Sequence, residues 1–179
     1  MLSRFVYLAG DRLSVAELSA ACLDGHVVGL GDAYVPADLV ESPALRAATL
    51  ADTLGASLAA SHLTAAWVHG GIDEPPARLS VQRAVTARLH HITDRRLHYH
   101  DVQADPEALE RIGGCLVTSA ERTVADLARM ESPEHTAALA MWAARDPVVV
   151  AAASAWLGSR HRLPYGRRAR ELLGSLMTS

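Results

Sequence analysis

The chain has 179 residues, half of them hydrophobic and 21% charged, with a formal net charge of −3. That suffices for one ordinary domain, or a small module attached to one, and the composition is not that of a disordered chain. It contains no lysine and no asparagine, and all 17 basic residues are arginine. An arginine- and alanine-rich chain without lysine fits a GC-rich genome. It excludes lysine nucleophiles, Schiff-base lysines, P-loop lysines and the lysine of a D/ExK nuclease site.

The charge is unevenly spread. Residues 1–70 carry three arginines against seven acids, a net of −4; residues 131–179 carry six against four, a net of +2. A net negative chain does not announce nucleic-acid binding through bulk electrostatics. Cys22 and Cys115 lie too far apart in sequence for a metal knuckle, and both are expected as buried thiols. Phe5–Gly10 is too short for a signal segment. Thr53–Ile72 is free of Asp, Glu and Arg, but its His, Ser and Thr residues argue against a membrane span. The expectation is a cytoplasmic protein with no membrane partner.

Ser14 and Glu17 form a capping-box pattern that opens a short helix ending near Leu23, before Asp24-Gly25. The stretch from His26 to Pro36 reads as two short strands around a Gly29–Asp32 turn. Ser42-Pro43 starts the next helix, along which Leu45, Ala48, Leu50, Leu54 and Leu58 recur at near-helical spacing. Ser61 is the expected cap of a helix stopping at Gly70-Gly71, and Pro75-Pro76 is a firm break.

From 78 to 102 the period changes to that of short strands, with a turn at Asp94. Asp105-Pro106 leads through a helical turn to Gly113-Gly114 and a strand at Cys115–Val117. Thr118 is read as an N-cap with Glu121 at the third helical position, opening a helix to Arg129. Ser132-Pro133 and Asp146-Pro147 start two further helices, and a basic stretch at 160–170 leads into a last one. Val148–Leu157, uncharged, is expected to pack deeply.

Three constellations stand out. Arg122 and Asp126 are four apart on the Thr118 helix, a structural pair in a segment that supplies no nucleophile. His90, His91, His98 and His100 crowd the strand region, with His98 and His100 on one strand face. No carboxylate or thiol stands beside them at metal-ligand spacing, so a solvated strand is the expectation and no metal or cofactor is called for.

Arg78, Arg83, Arg88, Arg95 and Arg96 fall in a single expected hairpin region; Arg160, Arg162, Arg167, Arg168 and Arg170 form a second cluster. Each is either a phosphate- or carboxylate-binding face or an ordinary solvated one. No GxSxG, HExxH or two-carboxylate pattern is present, so no catalytic residue is assigned.

The chain also resembles a known family. A ribbon ending in Tyr34-Val-Pro36, the segment Ser61-His-Leu-Thr-Ala-Ala-Trp67-Val-His-Gly70, and Thr118-Ser-Ala-Glu-Arg-Thr-Val-Ala-Asp-Leu-Ala-Arg129 follow in order. Together they resemble the actinobacterial AbiEi-like antitoxins of type IV toxin–antitoxin systems. The last segment carries the family's T-S-x-E-R-T-x-x-D-L-A-R pattern through Thr118, Glu121, Arg122, Thr123, Asp126 and Arg129.

The resemblance implies an α+β chain: a small winged-helix module at 1–40, then a mixed helix and strand antitoxin domain at 41–179 with a helical C-terminal half. It implies neutralisation of a cognate nucleotidyltransferase-type toxin, with promoter DNA as a second partner and no small-molecule substrate. The wing departs from the pattern. No arginine lies between Glu17 and Tyr34, and Gly31-Asp32-Ala33 stands where the family has a basic tip. Phosphate neutralisation supplies most non-specific DNA affinity, so this module is expected to be degenerate. The alternatives are a nucleic-acid-binding regulator using the downstream arginines and a non-catalytic adaptor.

Overall fold

The computed structural model describes residues 3–89, 94–160 and 163–177. After a 3-10 turn at Ser3–Phe5, helix α1 (Val15–Leu23) starts with a reciprocal cap. The Ser14 hydroxyl accepts from the Glu17 amide at 3.3 Å, and Glu17 Oε2 accepts from the Ser14 amide at 2.8 Å. Only Leu18 of α1 is buried, and Cys22, expected inside, is exposed.

Strands β1 (Val27–Leu30) and β2 (Ala33–Pro36) form an antiparallel ribbon closed by Gly31-Asp32. Gly31 has φ +61°, which glycine adopts without strain, and a Cβ there would sit 3.6 Å from the Trp67 ring. Tyr34 exchanges both backbone hydrogen bonds with Tyr7 at 2.9 Å, tying the N-terminal segment to the ribbon.

Helix α2 (Pro43–Thr49) begins at the expected Ser42 cap with Pro43 at its first position. The helix does not run on to Leu58. A four-residue turn of helix, α3 (Ala51–Leu54), ends at Gly55, φ +54°, and Leu58 opens strand β3 (Leu58–Ala60). Helix α4 (His62–His69) ends at Gly70, φ +82°, as expected of a left-handed C-cap.

Strands β4 (Leu79–Arg83) and β5 (Leu97–Gln103) are paired in parallel, so the expected hairpin is instead a crossover. A 3-10 turn at Pro106–Ala108 precedes β6 (Leu109–Ile112), and Gly113-Gly114 turns the chain into β7 (Cys115–Thr118). Four helices follow among the described residues: α5 (Ala120–Arg129), α6 (Pro133–Arg145), α7 (Pro147–Gly158) and α8 (Gly166–Met177). Ser132 and Asp146 cap α6 and α7 through their side chains, with proline at the first position of each. In α7, Val149, Val150, Ala153 and Leu157 are buried while Val148 is exposed.

The result is a mixed α+β fold in which the larger sheet has the order β5-β4-β3-β7-β6. Its two faces differ in kind. Leu58, Ala60, Leu79, Val81, Leu97 and Val117 supply an apolar face that packs with Leu45, Leu54 and Trp67. Val6, Leu30, Ala33 and Val35 of the N-terminal segment join the same core, which therefore crosses residue 40.

The alternate residues Ser80, Gln82, His98 and His100 face the other way. On that side α4–α8 build a second apolar core around Leu63, Val124, Leu127, Leu139, Trp142, Val150, Leu157 and Leu173. Ser80 and Gln82 of this polar face are buried and His100 is half-buried, while His98 stays exposed. Among the described residues no helix is long and apolar enough to cross a membrane.

Candidate functional site: a histidine layer beside the motif helix

Strands β3 and β7 are adjacent and parallel, and each leads directly into a helix. The N-termini of α4 and α5 therefore open at the same edge of the sheet. Neither N-cap serine makes a capping bond: Ser61 Oγ is hydrogen-bonded to His62 Nδ1 at 3.0 Å, and Ser119 Oγ is buried without a partner. Thr118 is the last residue of β7, not a cap, and Glu121 stands at the second helical position, so the expected capping box does not form. Thr118 instead bonds across the start of the helix. Its Oγ1 lies 2.7 Å from Thr123 Oγ1, and Thr123 donates to the Ser119 carbonyl at 2.8 Å.

The expected Arg122–Asp126 pair is present and extends to a third residue. Asp126 is buried and accepts from Arg122 Nε at 2.7 Å and from Arg129 Nη1 at 2.8 Å. Arg129 also donates to the Pro164 carbonyl at 2.8 Å, tying α5 to the segment before α8. The Trp156 ring of α7 is met by two guanidiniums, that of Arg122 at 4.9 Å and that of Arg160 at 4.7 Å from its centroid. Arg160 Nη1 in turn donates to Asp105 Oδ2 at 2.7 Å.

Beside this network four histidines converge from three elements. The His98 and His100 rings of β5 are 4.4 Å apart, as expected for one strand face. His100 stacks on His62 at 4.2 Å, and His62 meets His135 of α6 edge-on at 6.1 Å. His98 is exposed, His100 half-buried and His62 buried, so the imidazoles run from solvent inward to the start of α4. His100 is therefore not the solvated strand residue the sequence suggests. Its Nε2 is buried without a partner, as is Oε1 of Gln82, its register neighbour on β4. His90 and His91 lie outside the described residues.

Three of the four imidazoles, His62, His100 and His135, are shifted towards the neutral form. Burial, followed by His100, His135, Arg122 and Arg129, pushes His62 down to about 2. Burial, then His98 and His135, brings His100 to about 4. His135 is also held below its ordinary value by burial, against an opposing pull from Glu134. Burial raises the Cys115 thiol to about 11, so that thiol, which donates to the Ala47 carbonyl, is no nucleophile. Among the described residues no group of His, Cys, Asp or Glu is arranged to hold a metal ion.

The strand arginines do not form one cationic face. Arg78 donates to the carbonyls of Arg95 and Leu97. Arg83 is buried, donates to the Val85 and Thr86 carbonyls and lies 3.7 Å from Asp101, which Arg88 also approaches at 3.9 Å. Arg96 binds Asp94 at 2.8 Å and reaches Asp32, at the tip of the N-terminal ribbon, at 3.5 Å. Arg95 alone of the five is exposed with no side-chain partner among the described residues. The parallel β4–β5 pairing separates these side chains and sets them against local carboxylates and carbonyls.

In the second cluster Arg162 lies outside the described residues. Arg167 and Arg170 of α8 are exposed; Arg167 lies 3.7 Å from Glu171, and Arg168 pairs with Glu131. With Arg160, Leu157, Leu163 and Tyr165 they line a groove of about 420 Å3.

No protein-family model matches the chain, and no curated protein matches it. Among solved structures it is similar to the RV2827C protein from Mycobacterium tuberculosis. The identity is 18% and the TM-score 0.49, over 98% of this chain and 74% of that one. The functional reading therefore rests on this chain's own residues. The sequence singles out Arg122, Asp126 and Arg129, but it places neither His62 nor His135 beside the strand histidines. The only local signals for the two histidines are the serines that precede them at helix starts, Ser61 and Ser132.

Proposed function

We propose that the chain is a non-catalytic, antitoxin-like protein of the AbiEi type that acts by binding a partner protein, a nucleotidyltransferase-type toxin. In this reading α1 and the β1–β2 ribbon are a reduced winged helix that has lost its hold on DNA. The observation that carries it is the tie between the ribbon tip and the sheet: Asp32 faces Arg96 of the protein itself, where a DNA-reading wing would present a cation to phosphate. The match of Thr118–Arg129 to the family pattern supports the assignment. So does the place of that segment at the centre of the α5–α7–α8 packing, where Asp126 ties two arginines together.

Exposed arginines cluster elsewhere, on α8, where Arg167 and Arg168 meet only surface carboxylates, and an arginine fork there suits an acidic protein surface. Co-expression with the product of the neighbouring gene tests the reading. The expected result is a product that arrests growth alone and loses that effect when this chain is present. A harmless neighbour, or one that stays toxic, rejects it.

A second reading, a nucleic-acid binder working through α8, is favoured only by the exposed Arg167 and Arg170. It requires binding that weakens steeply with salt and a lower salt slope in Arg167→Ala and Arg170→Ala.

A further inference from the structure

We propose that the cavity of about 660 Å3 under the β1–β2 ribbon binds a small heteroaromatic amine of nucleoside size. That volume lies within the range of small-molecule sites. The lining is graded in depth. Its floor, with Leu50, Trp67 and Leu79, is buried, whereas its rim, with Asp52 and Ala77, is exposed. A ligand therefore has a way in from solvent and apolar surface to cover once inside.

An orphaned donor marks the inner end. Trp67 is fully buried, yet its Nε1–H has no hydrogen-bond partner. A buried donor left unpaired is costly, and each such group calls for an acceptor. On an indole, Cη2 ends the same ring edge that carries Nε1. That carbon lies 3.6 Å from where a Cβ on Gly31 would stand, and Thr49 Oγ1 lies 3.9 Å from the same point. Gly31, Thr49 and Trp67 all line the cavity, so the N–H edge of the ring borders it beneath the ribbon.

The charges select the ligand class. Arg96 on the rim is already held by Asp94 and Asp32. Asp52 makes no hydrogen bond or ion pair with any described residue. Two carboxylates, Asp32 and Asp52, against one guanidinium leave the lining net negative, which disfavours an anion. What fits is a flat ring with an acceptor for Trp67 Nε1 and an amino group for the Asp52 carboxylate. Adenosine and cytidine carry that pairing; uridine has the acceptors without the amino group. Leu50, Trp67 and Leu79 belong to the core that the ribbon shares with the sheet, and α8 belongs to the other. The site thus stands apart from the partner-binding reading.

The test is a titration of the full chain with adenosine, cytidine and uridine, followed through the indole N–H resonances. The site predicts saturable binding in which the Trp67 proton moves downfield as it gains an acceptor, while those of Trp142 and Trp156 stay in place. The better of adenosine and cytidine should bind about tenfold tighter than uridine. Asp52→Ala should erase that preference, and Ala77→Trp, which fills the mouth, should abolish binding. Both positions are exposed, so neither variant endangers the fold. Absence of a saturable Trp67 shift at millimolar nucleoside overturns the proposal. So does equal binding of uridine, a preference kept in Asp52→Ala, or binding that survives Ala77→Trp unchanged.

Discussion

Asp32 and Arg96 lie 3.5 Å apart, although one sits at the tip of the N-terminal ribbon and the other just before β5. Arg96 is already held by Asp94, whose carboxylate accepts from its side chain and its amide. That bond keeps Asp94 below the usual carboxylate range and Arg96 above its ordinary value. A prepositioned guanidinium thus meets the ribbon's only tip charge. The ribbon is folded back over Trp67 and α2, with a cleft of about 660 Å3 beneath it.

If this pair holds the tip, Asp32→Arg should free it without unfolding the protein. Both partners are solvent-exposed, so the effect on global stability is small. Amide exchange at Leu30–Ala33 should accelerate while exchange in β3 and β7 stays unchanged. Unchanged exchange at the tip would show that the pair does not hold it.

Asp126 offers the opposite case. It is buried between Arg122 and Arg129, so Asp126→Ala leaves two guanidiniums without their partner. Breaking a buried pair of this kind costs about 3–5 kcal/mol. Arg122→Met should cost less, because Arg129 still satisfies Asp126. Denaturant melts of the two variants measure the difference, and equal losses would deny Asp126 its bridging role.

The helices were legible where their signals are local. Ser14 with Glu17, Ser42-Pro43, Ser132-Pro133 and Asp146-Pro147 each set a helix start within a few residues, and each start stands as expected. What failed depends on distant partners. Leu58 fits a helical spacing, but its place in β3 is decided by pairing with Arg83 and by the neighbouring β7. The same ambiguity made Thr118 look like a cap, since a Thr before a helix also suits the last residue of a strand. The parallel pairing of β4 and β5 has no local signature at all. The histidine layer was only half visible for the same reason: His98 and His100 share a strand, whereas His62 and His135 reach them only through the fold.

The buried histidines make stability depend on pH. Their folded pKa values lie below the unfolded value of about 6.5, so the unfolded chain binds more protons and stability rises with pH. The contribution is fully present above about pH 6.5. It is lost as pH falls towards the folded values, about 4 for His100 and about 2 for His62. For the deeply buried His62 the slope approaches about 1.4 kcal/mol per pH unit. Urea melts between pH ~7 and ~4.5 should show this fall, and His62→Gln should flatten it. A wild-type slope retained by the variant would place the titration elsewhere.

The turn between β6 and β7 supplies a packing test. A Cβ on Gly113, φ +56°, would lie 2.2 Å from the Ala44 carbonyl oxygen, whereas one on Gly114, φ +97°, meets nothing within 4 Å. Both alanine variants carry backbone strain of about 1–3 kcal/mol. Only Gly113→Ala must also push α2 away from the sheet. Thermal melts should therefore rank Gly113→Ala well below Gly114→Ala; equal melting temperatures would mean that α2 yields freely.

The central claim is that this chain works through a protein partner and not through DNA. The most direct measurement is a side-by-side titration, in one low-salt buffer, against the purified product of the neighbouring gene and against the promoter duplex. The account predicts a stable protein complex, weakened by charge reversal in Arg167→Glu with Arg170→Glu, and no retention of the duplex. Tight, salt-sensitive binding of the duplex with no protein complex would contradict it.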